Sequence, residues 1–331
     1  MRLIESKGLH KIIKMALSLL LITSLILSMI ACSGNNNDSN DIDSILNNTA
    51  NMMLQNTTEP TYGSVGGEWL VFGMARWGGS VPEGWFESYY EELERYVEGC
   101  HGILDERKYT EYSRVIIALT AMGKNPLDVA GYNLLTPLGD FEKTTFQGIN
   151  GPIFALLALD SGNYEMPTNS SATIKATREM YIDFILDKEL DKGGWALSGT
   201  EADVDITAMV IQALAKYQDN KDVKAATDRA LDVLSKLQTE NGGFSSYGAE
   251  SSESISQVIV ALTELEISID DERFVKNGKN LEDSLLEFMI DGSGFEHILE
   301  GGADPMATEQ AFYALVALNR SESGLESLYR M

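Results

Sequence analysis

The chain is poor in the residues that staple small folds or hold metals. It has two cysteines, Cys32 and Cys100, three histidines and seven prolines in 331 residues. No C-x-x-C pair occurs. A disulfide framework and a closed Cys/His metal site are therefore not expected, and a buried core must supply the stability. Long apolar runs are scarce too. The longest, Ala16 to Ile30, is broken by Ser18, Thr23, Ser24 and Ser28, and is shorter than the roughly 20 residues a membrane-spanning helix needs. Basic residues number 25 against 50 acidic ones, for a net charge of −25. A surface of that sign repels nucleic acid and anionic headgroups. No P-loop, dinucleotide fingerprint or nucleophile elbow is present, so no cofactor is expected.

What is there begins with a leader. Arg2, Lys7, Lys11 and Lys14 stand against Glu5 and precede the apolar run, which ends Met29-Ile30-Ala31-Cys32-Ser33-Gly34. Basic start, short apolar segment and small residue describe a secretory signal. Its end resembles a bacterial lipobox, which implies cleavage before Cys32 and a diacylglycerol on that sulfur. The expected organisation is a signal over 1–31, an Asn-rich tether over 32–41 and a folded body over 42–331. Loss of 1–31 leaves 21 basic and 49 acidic residues, a net charge of −28. The expected location is the extracytoplasmic face of a membrane. The bilayer is then reached through acyl chains on Cys32, and more than one chain is needed for stable anchoring.

The last third repeats. Aromatics follow closely spaced glycines at Gly193-Gly194-Trp195, Gly242-Gly243-Phe244 and Gly292-Ser293-Gly294-Phe295, with the aromatics 49 and 51 residues apart. Each leads into an apolar segment with Ala-Leu, and leucines Leu214, Leu262 and Leu315 lie 48 and 53 apart. Two markers that keep one period define a repeat.

Two helix types alternate within it. Residues 204–217 are apolar nearly all round, as a helix buried on both sides should be. Residues 222–238 place Val223, Ala226, Ala230, Leu234 and Leu237 on one face, as a surface helix should. Further buried helices are predicted at 67–77, 111–122, 148–159, 253–266 and 306–319. One-sided helices are predicted from Ile42 to Met53 and at 86–98, 172–188 and 279–290. Residues 127–142 are ambiguous, because Pro137 and glycines interrupt them. The fold class is therefore all-α, an α/α toroid of about six outer and six inner helices. A linear solenoid is the competing arrangement; it would need polar caps and expose more of each inner helix.

These glycine-aromatic entries resemble the repeat of the prenyltransferase and squalene-cyclase proteins, over most of 40–320 and most closely over 193–320. That group includes triterpene cyclases, protein prenyltransferase β subunits and the α-domain of cobalamin carriers. The stretches DVDITAMVIQAL (203–214) and MATEQAFYALVAL (306–318) are most similar to bacterial surface proteins of this group. The small β-domain that some of those carry is not expected here.

The resemblance nominates site residues. Class II terpene cyclases use a D-x-D-D-T motif; here Asp203, Asp205 and Thr207 match and Ile206 replaces the last acid. Asp205 is the candidate general acid, which would need burial to stay protonated. The structural reading competes. Eleven residues before each repeat leucine stand Asp203, Ser251 and Asp304, all helix-capping types, and Asp205 then sits in a first turn that favours negative charge. A prenyltransferase-type zinc would need three converging ligands, and Cys100, His101 and His297 do not supply them, so no metal is expected. Tyr62, Trp69, Trp195, Phe244, Tyr247 and Phe295, near the entrances to inner helices, are candidate cavity aromatics, with core packing the equal alternative. Gln257, Glu309 and Gln310 are polar residues on otherwise buried helices, and should find partners or line a wet pocket.

The resulting expectation is a monomeric surface lipoprotein whose toroid binds an apolar or amphipathic ligand. The alternatives are a surface scaffold for protein contacts and a terpene-cyclase-like enzyme acting through Asp205. A large aromatic-lined central void would favour the ligand and enzyme readings; a filled centre would favour the scaffold.

Overall fold

Where apolar side chains cover a helix on every side, the helix must be enclosed, and six such helices form the centre of this fold. The computed structural model describes residues 42–246 and 248–331. The signal, Cys32, the tether and Tyr247 lie outside them. Residues 42–331 form one compact unit.

The inner helices are α2 (Trp69–Trp77), α4 (Thr110–Ala121), α6 (Asn150–Ser161), α8 (Val204–Leu214), α10 (Ser252–Glu264) and α12 (Pro305–Glu322). The outer ones are α1 (Ile42–Asn56), α3 (Trp85–Gly99), α5 (Phe141–Thr145), α7 (Arg178–Leu186), α9 (Lys221–Leu237) and α11 (Leu281–Leu286). Each inner helix packs on the next, α2 to α4, α6, α8, α10 and α12, and α12 packs back on α2. That last contact closes the ring, where a linear solenoid would hold its first and last helices apart. The fold is an all-α toroid of six inner and six outer helices.

Three outer segments differ from the sequence reading. In 127–142 the chain makes turns and a 3-10 turn at Thr136–Gly139, and the third outer helix is only α5. Pro137 starts that turn and Asp140 caps the helix through the Lys143 N–H. Helix α7 starts late because Thr177 caps it. Helix α11 stops at Leu286, and the chain then pairs β3 (Met289–Ile290) with β4 (Gly294–Phe295). The only other strands among the described residues are β1 (Ser245–Ser246) and β2 (Ala249–Glu250).

The last three inner helices, α8, α10 and α12, start on side-chain caps. Asp203 accepts the Ile206 N–H, Ser251 the Ser254 N–H and Asp304 the Ala307 N–H. Such a cap satisfies one of the orphan donors of a first turn and contributes about 1 kcal/mol. The repeat aromatic holds each cap in place: the Asp203, Ser251 and Asp304 N–H groups donate to the carbonyls of Trp195, Phe244 and Phe295. Close packing here explains the glycines. Gly294 has φ +103°, and a Cβ on it would lie 2.5 Å from the Thr308 hydroxyl.

The opposite ends of four inner helices are gathered by residues 323–331. Arg76 of α2 donates to the Ser327 and Arg330 carbonyls at 2.8 and 3.0 Å. Glu264 of α10 accepts the Ser327 hydroxyl at 2.7 Å and the Tyr329 N–H at 2.9 Å. Arg320 of α12 donates to the Glu326 carbonyl, and the Met331 N–H donates to Ser161 of α6. This segment closes one end of the ring, so the capped ends form its mouth.

Candidate functional site

The residue six past each cap is Met209, Gln257 or Gln310, and all three face one central pocket. The positions nine past the first and third caps, Gln212 and Tyr313, line it one helical turn deeper. Trp69 of α2 and Phe154 of α6 supply the opposite wall, and Tyr329 of the closing segment the floor. Tyr329 stacks on Phe72 with centroids 5.2 Å apart. The aromatic side chains fill most of the centre and leave a void of about 130 Å³.

A chain of hydrogen bonds crosses this pocket. Gln212 Nε2 donates to Gln257 Oε1 at 2.9 Å. Gln257 Nε2 donates to Gln310 Oε1 at 2.9 Å and to the Tyr313 hydroxyl at 2.6 Å. Trp69, Phe154 and Tyr313 lie about it with centroid separations of 6.0 and 6.2 Å from Trp69. Buried polar groups are costly unless paired, and here they pair with one another while still facing a void.

Three carboxyls stand around the mouth. Glu68 is fully buried, accepts Arg114 Nε at 2.7 Å and the Tyr89 hydroxyl at 2.9 Å, and ties α2, α3 and α4 together. Burial pushes its carboxyl up and the Arg114 guanidinium pulls it back. Glu309 is 7% exposed and accepts the Gly66 N–H at 2.7 Å. Burial raises it to about 7, against that hydrogen bond, with the Glu68 and Asp304 charges adding to the rise. Asp205, in the first turn of α8, is raised chiefly by burial. The neighbouring Ser254 hydroxyl opposes the shift, and the Asp203 and Glu253 charges reinforce it. Its Oδ1 is buried without a hydrogen-bond partner among the described residues. Glu253, two past its cap as Asp205 is, pairs instead with His297 Nδ1 at 2.8 Å.

The sequence-nominated residues thus divide. Trp69, Gln257, Glu309 and Gln310 line the central pocket. Asp205 sits at its mouth, and Asp203 is spent as a cap. Trp195, Phe244 and Phe295 are corrected to core: each is fully buried and its main chain braces a cap. The Trp195 indole, for instance, donates to the Ile185 carbonyl of outer helix α7. Tyr62 lines no described pocket; it stacks on Tyr96 at 3.9 Å and donates to Glu111. Tyr247 lies outside the described residues. Sequence reasoning missed Ser64, Phe154, Met209, Gln212, Met306, Tyr313 and Tyr329. Counting inward from the caps finds Met209 and pairs Gln212 with Tyr313, but Tyr329 has no repeat position to count from.

Residues 182–284, from α7 to α11, match the squalene-hopene cyclase C-terminal domain. A solved protein from Actinoplanes is similar with a TM-score of 0.52 and 12% identity, over 85% of this chain and 100% of the other. A structure described as UGL with dGlcA-Glc-Rha-Glc is similar with a TM-score of 0.51 and 14% identity, over 87% and 98%. No curated protein matches by sequence. The fold is an α/α toroid, of which residues 182–284 are similar to the squalene-hopene cyclase C-terminal domain.

Proposed function

We propose that this chain, built on a terpenoid cyclase/prenyltransferase-like toroid, binds a compact amphipathic ligand. The ligand places a hydroxyl-bearing head in the central pocket and an apolar portion over the rim of the mouth. The observation that carries this reading is the Gln212–Gln257–Gln310–Tyr313 chain set against Trp69 and Phe154. Amides and phenols both donate and accept, as hydroxyl groups require, and ring faces suit the apolar side of such a head.

Size decides against larger ligands. A void of about 130 Å³ is below the roughly 300–1,000 Å³ of sites that enclose a whole drug-sized molecule. A triterpene does not fit, and a head group does. The small void favours a scaffold by itself; a polar chain facing open space at its centre favours a ligand. Exposed apolar residues stand at the rim: Val65 beside pocket-lining Ser64, Met306 on the pocket wall, and Leu197, Ile298 and Leu299 on loops entering α8 and α12. The neighbour described with dGlcA-Glc-Rha-Glc makes a sugar-like head a natural first probe. Display from a membrane through acylated Cys32 completes the proposal.

Calorimetry of the full chain with octyl glucoside below its micelle concentration, glucose and octanol tests it. Octyl glucoside should bind at least ~10-fold more tightly than either fragment, a difference of about 1.4 kcal/mol, and Gln257→Leu should abolish the advantage. Equal binding of octanol, or an unchanged variant, would contradict the reading.

A second reading rests on Asp205, whose Oδ1 is buried without a hydrogen-bond partner among the described residues, an environment that suits a general acid. In that reading Asp205 protonates an alkene or epoxide at the mouth. Asp205→Asn would then abolish turnover and spare binding; a variant with full turnover would refute it.

A further inference from the structure

A second cavity, of about 380 Å³, lies at the seam where α12 meets α1 and α2. Met52, Met53 and Leu70 give it an apolar wall, Asp304 and Glu309 are its charged groups among the neutral Asn56, Thr57, Ser293 and Thr308, and Ala303 also lines it. No lysine, arginine or histidine lines it. Two other enclosed acids of this ring have a cation: Glu68 has Arg114 at 2.7 Å, and Asp160 has Arg178 at 3.0 Å; Glu264 is held instead by two hydrogen bonds, from the Ser327 hydroxyl and the Tyr329 N–H. Glu309 has only the Gly66 N–H, on Oε1, and the charges it faces from Glu68 and Asp304 are like its own. Its second oxygen has no hydrogen-bond partner among the described residues.

We propose that this seam cavity is a binding site for a small organic ammonium ion, a primary alkylamine, whose charge is taken by Glu309 and Asp304 and whose chain lies on Met52, Met53 and Leu70. The missing cation of the Glu309 site is then the ligand. A divalent metal is a poorer occupant. Calcium takes 6–8 oxygens, and no cluster of three or more metal-ligating side chains occurs among the described residues. The cavity also falls within the range that encloses small organic molecules, and a thioether and aliphatic wall gains by excluding water from an alkyl chain.

The test is titration calorimetry of the full chain with hexylammonium chloride, with hexanol as the uncharged control. Glu309→Gln removes the charge and keeps an acceptor for Gly66. Ala303→Trp narrows the seam cavity from an exposed position that does not line the central pocket. Hexylammonium should bind one-to-one, hexanol at least ~10-fold more weakly, and each variant should weaken hexylammonium by a similar factor. Absence of binding would overturn the proposal and leave a proton as the means by which Glu309 is neutralised. Equal binding of hexanol would also overturn it. Binding lost in Glu309→Gln but kept in Ala303→Trp would place the ammonium in the central pocket and overturn the seam assignment.

Discussion

The Thr207 hydroxyl is held between the two main-chain polar groups of Trp195, accepting its N–H at 2.9 Å and donating to its carbonyl at 3.1 Å. Thr308 accepts the Phe295 N–H at 2.9 Å in the same way. Both threonines stand four residues after a cap, so cap, hydroxyl and aromatic form one joint between outer and inner rings. Thr207→Val should cost about 1–3 kcal/mol, because a buried N–H loses its partner without any change of shape. Urea unfolding measures this; a loss within 0.5 kcal/mol, the approximate range of neutral surface changes, would show the joint to be ornamental.

Gly294 makes a second prediction at the same joint. Its φ of +103° and the 2.5 Å approach to Thr308 leave no room for a methyl group. Gly294→Ala should destabilise by more than about 1 kcal/mol, through left-handed strain and through overpacking. Gly302 has φ +83° but open space around it, so Gly302→Ala isolates the strain alone and should cost less. Equal losses would remove the packing argument.

Glu309 predicts a pH dependence of stability. Its carboxyl is raised in the folded chain from the ordinary 4.5 to about 7, while Glu68 and Asp304 face it as acids, Arg114 offsets Glu68, and Tyr313 stands one turn away. Between those values the folded state binds more protons than the unfolded state, so this contribution falls as pH rises and is flat above about 7. The full drop is ~3 kcal/mol. Glu309→Gln should flatten the decline between pH 5 and 7.5 and be the more stable form at pH 7.5. A variant whose stability follows the wild-type profile would place the titration elsewhere.

Lipidation at Cys32 lies outside the described residues and is open to direct test. Metabolic labelling with an alkynyl fatty acid should mark the wild-type protein and leave Cys32→Ala unmarked, with Cys100 unable to substitute. Label retained in Cys32→Ala would refute the lipobox reading.

Much of the ring was legible because burial leaves a simple trace. An inner helix is enclosed on all sides, so a stretch such as 204–217 declares itself, and counting back from Leu214, Leu262 and Leu315 reaches the side-chain caps of α8, α10 and α12. The third outer helix was not legible. A helix of five residues, Phe141–Thr145, carries too little periodicity to stand out beside Pro137 and its turn. The aromatics misled for a physical reason: the residue that braces each cap and the residue that would face a cavity have the same chemistry, and only the fold tells Trp195 from Trp69. The pocket floor was hidden because Tyr329 meets Phe72 across 257 residues of chain.

The claim that the central amide chain is a ligand site is tested most directly by native mass spectrometry of the full chain after exposure to host membrane extract. One adduct per chain is expected, of an amphipathic molecule bearing hydroxyl groups, present in the wild type and absent from Gln257→Leu. A wild-type spectrum of the bare chain alone, or the same adduct on Gln257→Leu, would contradict it.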